Sequence, residues 1–118
     1  MGTCVYTQNN DMNLPKLIAD LMAAQDKYDS NAFAENFSND AIVHDEGKTY
    51  KGKKEIRQWN ETTNARYKTK YQPLKISKKG DEIILTAKVS GTFDGSPITL
   101  KYNFQIKEAK ITSLRISN

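Results

Sequence analysis

Cysteine, histidine and long apolar runs are nearly missing from this chain of 118 residues. The one cysteine, Cys4, has no partner for an internal disulfide and cannot build a metal cluster. The one histidine, His44, cannot anchor a metal without carboxylate help, and no metal-ligand spacing is present. No stretch approaches the roughly 18–20 apolar residues that span a bilayer, so no membrane partner is expected. Met1 to Asn13 has neither a basic start nor an apolar stretch, so it reads as a disordered lead-in rather than an intact signal peptide. Position 6 is Tyr where a myristoylation signal at Gly2 needs Ser or Thr. A reducing cytoplasm fits this cysteine usage, with a truncated exported form as the alternative. The Ser–His–Asp order, the phosphate-binding glycine loop and the HExxH motif are all missing.

What remains is sufficient for one domain, residues 14–118, with one core. The hydrophobic fraction is low at 37%, but six tyrosines, four phenylalanines and one tryptophan add burial capacity. The net charge of +4 is unevenly spread: residues 1–47 carry −6, residues 48–79 carry +9, and residues 80–118 carry +1. The basic middle fits a solvated helix face followed by a lysine-rich hairpin. Nucleic-acid binding there ranks lowest, because Trp59, Tyr67 and Tyr71 lie in no recognised reader motif.

Periodicity divides the chain in two. Leu14, Leu17, Ile18, Leu21 and Met22 follow helical spacing, which predicts a helix from about Leu14 to Tyr28. Asn13 can cap it, and Pro15 suits its first turn. Asp29 or Ser30 can cap a short second helix with Phe33 and Phe37 on its buried side. Ala41 to Asp45 reads as a strand, with a turn at Glu46-Gly47-Lys48 and a return at Thr49-Tyr50. Gly52 precedes a third helix to about Tyr67, with Ile56, Trp59, Thr63 and Tyr67 as its inner stripe.

From position 70 the period is two. Leu74 and Ile76 share a face. After a turn at Lys78-Lys79-Gly80-Asp81, Ile83, Leu85, Ala87, Val89, Gly91 and Phe93 take one face. After Asp94-Gly95-Ser96-Pro97, Ile98, Leu100, Tyr102, Phe104 and Ile106 alternate with polar residues. A last strand from about Ile111 places Thr112, Leu114 and Ile116 together. Three helices followed by an antiparallel meander with one apolar face predict an α+β fold whose helices cover that face.

The stretches Leu21-Met-Ala-Ala, Phe33-Ala-Glu-Asn-Phe-Ser-Asn-Asp-Ala-Ile-Val-His-Asp45 and Tyr50-Lys-Gly-Lys-Lys-Glu-Ile-Arg-Gln-Trp59, with Phe104 to Ile116, carry a resemblance. In this order they resemble the nuclear transport factor 2-like superfamily, in its SnoaL-like and ketosteroid-isomerase-like branches. The resemblance covers about residues 14–117. It implies a cystatin-like cone: three N-terminal helices packed on a curved antiparallel sheet, with a pocket between. It places Asp45 where the isomerases keep their general base. The resemblance and the alternation together give the expected lining of a pocket. Phe33, Phe37, Tyr50 and Trp59 lie on the helical side. Ala87, Val89, Gly91, Leu100, Phe104, Leu114 and Ile116 lie on the sheet side, and the small Ala87 and Gly91 leave room.

The chain departs from the isomerases at their oxyanion hole, a tyrosine plus a protonated aspartate. It has Leu21 in place of the tyrosine and Tyr102 in place of the aspartate. A standard ketosteroid isomerase is therefore not expected, since loss of one oxyanion donor costs about a hundred- to a thousandfold in rate. A phenol still donates to a developing enolate, so Tyr102 is the candidate stabiliser and Asp45 the candidate base. His44 neighbours Asp45 on a strand and should point to the other side.

Two readings stay open. One is a pocket for a small hydrophobic, oxygen-bearing ligand, with or without cofactor-free isomerase, cyclase or dehydratase chemistry. The other is a non-catalytic binding or assembly module, a homodimer formed through the polar sheet face at Lys88, Lys101, Gln105 and Arg115. Neither needs a cofactor.

Overall fold

The computed structural model describes residues 14–117. The expectations for residues 1–13, including Cys4 and the Asn13 cap, lie outside the described residues. Helix α1 is Lys16–Asp26 and helix α2 is Ser30–Glu35. Strands β1 (Phe37–Asp45) and β2 (Lys48–Lys51) form a hairpin that leads into helix α3, Gly52–Tyr67. Strands β3 (Lys70–Lys79), β4 (Glu82–Ser90), β5 (Ile98–Lys107) and β6 (Lys110–Ser117) complete the chain.

Local chemistry explains the boundaries. Asp29 caps α2 by accepting the Ala32 backbone N–H at 3.0 Å. Glu55 reaches back from the first turn of α3 to accept the Lys51 N–H at 2.8 Å, although Lys51 gives α3 no side-chain cap. Gly47 turns the β1–β2 hairpin with φ of +77°, a region costly for residues with a Cβ.

The six strands form one sheet in the order β2-β1-β6-β5-β4-β3. The meander β3–β6 is antiparallel as expected, but the sheet as a whole is mixed rather than antiparallel, because β1 and β6 run parallel. The last strand slots between β1 and β5, a pairing between distant segments that local alternation does not encode.

Bulges set the curvature and the phase. The β3 register skips at Leu74, between Pro73–Ala87 and Lys75–Thr86. Leu74 is consequently 45% exposed, while Ile76 packs against the core. The shared face expected for these two residues does not form. Tyr71 and Pro73 face inward instead, opposite Val89 and Ala87. A second shift, in the β5–β6 pairing, leaves Thr112 unpaired, so Ile111 and Leu114 are the buried pair.

The core lies between α1–α3 and the concave sheet face, around Ile18, Leu21, Phe33, Phe37, Ile56, Leu85, Phe104 and Leu114. Phe37 reaches it from the start of β1 rather than from the helix of Phe33. Helix α3 departs from its expected stripe as well. Ile56 and Trp59 are buried, but Asn60 and Asn64 join them, while Thr63 and Tyr67 are half-buried.

Those two asparagines belong to a buried polar network. Gln25 Nε2 donates to Asn64 Oδ1 at 2.8 Å, and Asn60 Nδ2 donates to Gln25 Oε1 at 2.9 Å. Asn64 Nδ2 donates to Asn60 Oδ1 at 3.1 Å. Ser30 Oγ donates to Asn60 Oδ1 at 2.7 Å, and Thr69 Oγ1 donates to Asn64 Oδ1 at 3.0 Å. Among the described residues no buried side-chain polar atom lacks a partner. The network ties α1, α2 and α3 to the start of β3 by directional bonds.

Candidate functional site

Asp45 closes β1 with its carboxylate on the concave side. Trp59 Nε1 of α3 donates to Asp45 Oδ2 at 3.3 Å. The bond is long, so it stabilises the charge weakly. His44 points the other way, as strand alternation requires, and its Nδ1 lies 3.5 Å from Thr49 Oγ1.

Burial raises the Asp45 pKa above its ordinary value, and the neighbouring Glu46 charge adds to this. The Trp59 hydrogen bond works in the opposite direction but is outweighed. A half-buried carboxylate with one weak donor is a stronger proton acceptor than a free one.

The sheet register sets its neighbours. His44 pairs with Arg115, so the following residues, Asp45 and Ile116, adjoin; Ile116 in turn pairs with Tyr102, and Tyr102 with Leu85. Asp45 and Tyr102 thus share one cross-strand row, two strands or about 9–10 Å apart. The charge of Asp45 contributes to raising the phenol pKa values of both Tyr102 and Tyr71, although burial is the larger cause for each. Tyr50, beside Trp59 with ring centroids 5.6 Å apart, is likewise raised by burial, then by Asp45 and Glu46.

The expected pocket residues fall into two groups. Phe33, Phe37, Phe104 and Leu114 are sealed in the core, each no more than 1% exposed. Ala87, Val89 and Trp59 are buried beside them. Tyr50, Leu100 and Ile116 are half-buried and pack against the core from its margin, as does Ile98. Asp45 borders a cleft of about 280 Å³ that His44, Lys48, Thr49, Arg115 and Ile116 also line, and of this second group only Ile116 reaches it. Tyr102, 3% exposed, lies deeper, stacked on Phe104 with ring centroids 6.4 Å apart.

At Gly91 the missing side chain admits the carbonyl of Tyr67 at the end of α3 and the ring of Phe93. The space is thus occupied by protein. A larger groove of about 540 Å³ lies over Tyr28, Ser30, Glu61, Asn64 and Lys68, and shares no residue with the Asp45 cleft. Among the described residues no group of His, Cys, Asp and Glu is placed to hold a metal, and no helix is long and apolar enough to cross a membrane.

Tyr71 is an inward-facing aromatic that sequence reasoning did not place. It faces Tyr102 from β3, with ring centroids 5.3 Å apart and planes tilted by 43°. Alternation back from Val89 across the hairpin is the signal that would have found it, had the bulge at Leu74 been visible.

The comparisons agree with this architecture. A solved structure from Sinorhizobium meliloti, a presumed polyketide cyclase, is 36% identical and superposes with a TM-score of 0.87, covering 94% of this chain and 100% of that one. A hypothetical protein from Catenulispora acidiphila with a ketosteroid isomerase-like fold, in complex with trimethylamine, is 22% identical with a TM-score of 0.80, covering 90% and 87%. A nuclear transport factor 2-like protein of unknown function from Cytophaga hutchinsonii is 17% identical with a TM-score of 0.74, covering 95% and 92%. The last two show the fold alone. No protein of curated function matches the chain. The model of the SnoaL-like domain matches residues 18–113, and the chain belongs to that family, within the nuclear transport factor 2-like superfamily.

Proposed function

We propose that this chain binds a small, largely apolar, oxygen-bearing molecule at the Asp45 cleft and moves a proton next to its carbonyl without a cofactor. The carrying observation is the inward carboxylate of Asp45, held by one long bond from Trp59 and raised in pKa by burial. Asp45 takes the carbon-bound proton, and the phenol side of the row, Tyr102 first, stabilises the oxyanion. Ile116, the half-buried apolar residue of that cleft, receives the ring of the ligand. The presumed cyclase activity of the Sinorhizobium relative fits this chemistry, since cyclisation of a polyketide also proceeds through an enolate.

Asp45→Asn tests it. The variant folds and loses turnover of a cyclic ketone substrate by about a hundredfold or more. Unchanged turnover rejects the mechanism. In the wild type, activity falls on acidification at a higher pH than an unperturbed aspartate would give, because the raised pKa makes the base fill with a proton earlier.

The sealed packing of Phe33, Phe37, Phe104 and Leu114 favours a second reading, a non-catalytic module. In that case two copies pair through the outer sheet face at Lys88, Lys101, Gln105 and Arg115, all exposed. Sedimentation that finds a dimer while no apolar ketone binds supports this reading over the first.

A further inference from the structure

The Asp45 cleft has two chemically different sides. Strands β1 and β6 run parallel and both end there, at Asp45 and Ser117. Side chains alternate across a sheet, so neighbours along a strand face opposite ways. Asp45 and Ile116 therefore look to the concave side, while His44 and Arg115, paired in the register, look to the outer side. Thr49 joins them from β2, its Oγ1 3.5 Å from His44 Nδ1. The cleft crosses the strand ends and touches both sets.

Its cations are not used by the fold. Every ion pair among the described residues lies in the helix layer: Lys16–Asp20, Lys53–Glu35 and Arg57–Glu61. Lys48 stands opposite Asp45 in the hairpin register, yet the two make no ion pair. Arg115 is exposed, with His44 and Asn103 across from it and no carboxylate opposite on either strand. Its planar fork is thus available, and that fork matches the two oxygens of a carboxylate. Lys48 and Arg115 together offset Asp45 and Glu46, so one added negative charge is tolerated better than the two of a phosphate.

We propose that the outer side of this cleft, Arg115 first with His44 and Thr49, holds a carboxylate of the ligand. The ligand class narrows to a ring that carries both a carbonyl and an acid group, resting on the Asp45 reading for the carbonyl end. The volume of about 280 Å³ lies at the lower end of small-molecule sites, so one ring with a short arm fits better than a fused polycycle. The acid also sets the orientation. Anchored at Arg115, it leaves the ring on Ile116 and the carbonyl edge toward Asp45. The reverse placement sets the acid against Asp45 and Glu46, and like-charge repulsion disfavours it.

Three probes test this: cyclohexanone, the same ring bearing a carboxylate two carbons from the carbonyl, and the methyl ester of that acid. Binding is followed by NMR titration of the full chain. The wild type binds the acid about tenfold or more tighter than the ester, the usual worth of a bond to a charged group. Arg115→Gln removes that preference and leaves ester affinity where it was. Arg115→Lys keeps part of it, since the charge remains without the fork. Arg115 is exposed, so neither variant endangers the fold. Equal affinity for acid and ester in the wild type overturns the proposal, and so does a preference that survives Arg115→Gln. A ring bearing phosphate that binds tighter than the acid overturns the choice of carboxylate. Deuterium uptake beside the carbonyl of the acid reads the Asp45 role separately. Uptake that is lost in Asp45→Asn, with no preference for acid over ester, removes the Arg115 site alone. An Arg115-dependent preference, with no Asp45-dependent uptake, removes the Asp45 role alone. A wild type that binds none of the probes overturns both.

Discussion

The helix layer and the sheet mouth treat polar side chains in opposite ways. Between α1, α2 and α3, Gln25, Ser30, Asn60, Asn64 and Thr69 are buried and mutually bonded at 2.7 to 3.3 Å. At the mouth, Asp45 is half-buried and meets one indole N–H at 3.3 Å. The first group is neutral and closed on itself, so it fixes the angle between helices and has little left to offer a ligand. The second is ionisable and under-bonded, so its charge remains available to a proton. Buried polarity by itself does not mark a site; unsatisfied, titratable polarity at an opening does.

Breaking the closed group should give the largest change in stability. Asn64→Leu removes the acceptor of the Thr69 hydroxyl and the shortest of the bonds from Gln25 Nε2, and is expected to destabilise by about 2–3 kcal/mol, seen as a lower urea midpoint at unchanged m. A smaller loss, about 1–3 kcal/mol by thermal unfolding, is expected for Gly91→Ala, whose Cβ would collide with the Tyr67 carbonyl. Trp59→Phe sharpens the other side of the comparison. It costs about 1 kcal/mol or less for the hydrogen bond and raises the Asp45 pKa further, readable from the carboxyl carbon shift by NMR. An unmoved pKa would show that the indole does not hold the acid.

The smallest effect is a matter of sign. Because folding raises the Asp45 pKa, its ionisation opposes folding as pH rises through the folded value. Asp45→Asn should therefore melt slightly higher than the wild type at pH 7, an advantage that disappears once both states are protonated in acid. The carboxylate is partly wet, so the gain is small.

Much of this was legible in the sequence. The strand ending at Asp45, the outward turn of His44 and the helix from Gly52 to Tyr67 follow from alternation, turn residues and helical spacing. The inner stripe of α3 was only half legible, because Asn60 and Asn64 look like surface residues until their partners Gln25 on α1, Ser30 on α2 and Thr69 just before β3 are known. Tyr71 stayed hidden for a related reason. A bulge shifts phase by one residue, and alternation counted from Leu74 and Ile76 assigns the wrong side to everything before it. The parallel contact of β1 with β6 joins segments some seventy residues apart, as in the pairing of Val43 with Leu114, and no local rule specifies it.

That contact has a temporal consequence. On a ribosome, β1, β2 and α3 emerge long before the strand that sits beside β1. Until Leu114 and Ile116 arrive, the hairpin bearing Asp45 has an open edge, and the acid has no apolar wall. The surroundings of the Asp45 carboxylate are thus complete only when synthesis reaches β6, and early intermediates should be exposed to strand exchange at the edge that β6 later covers.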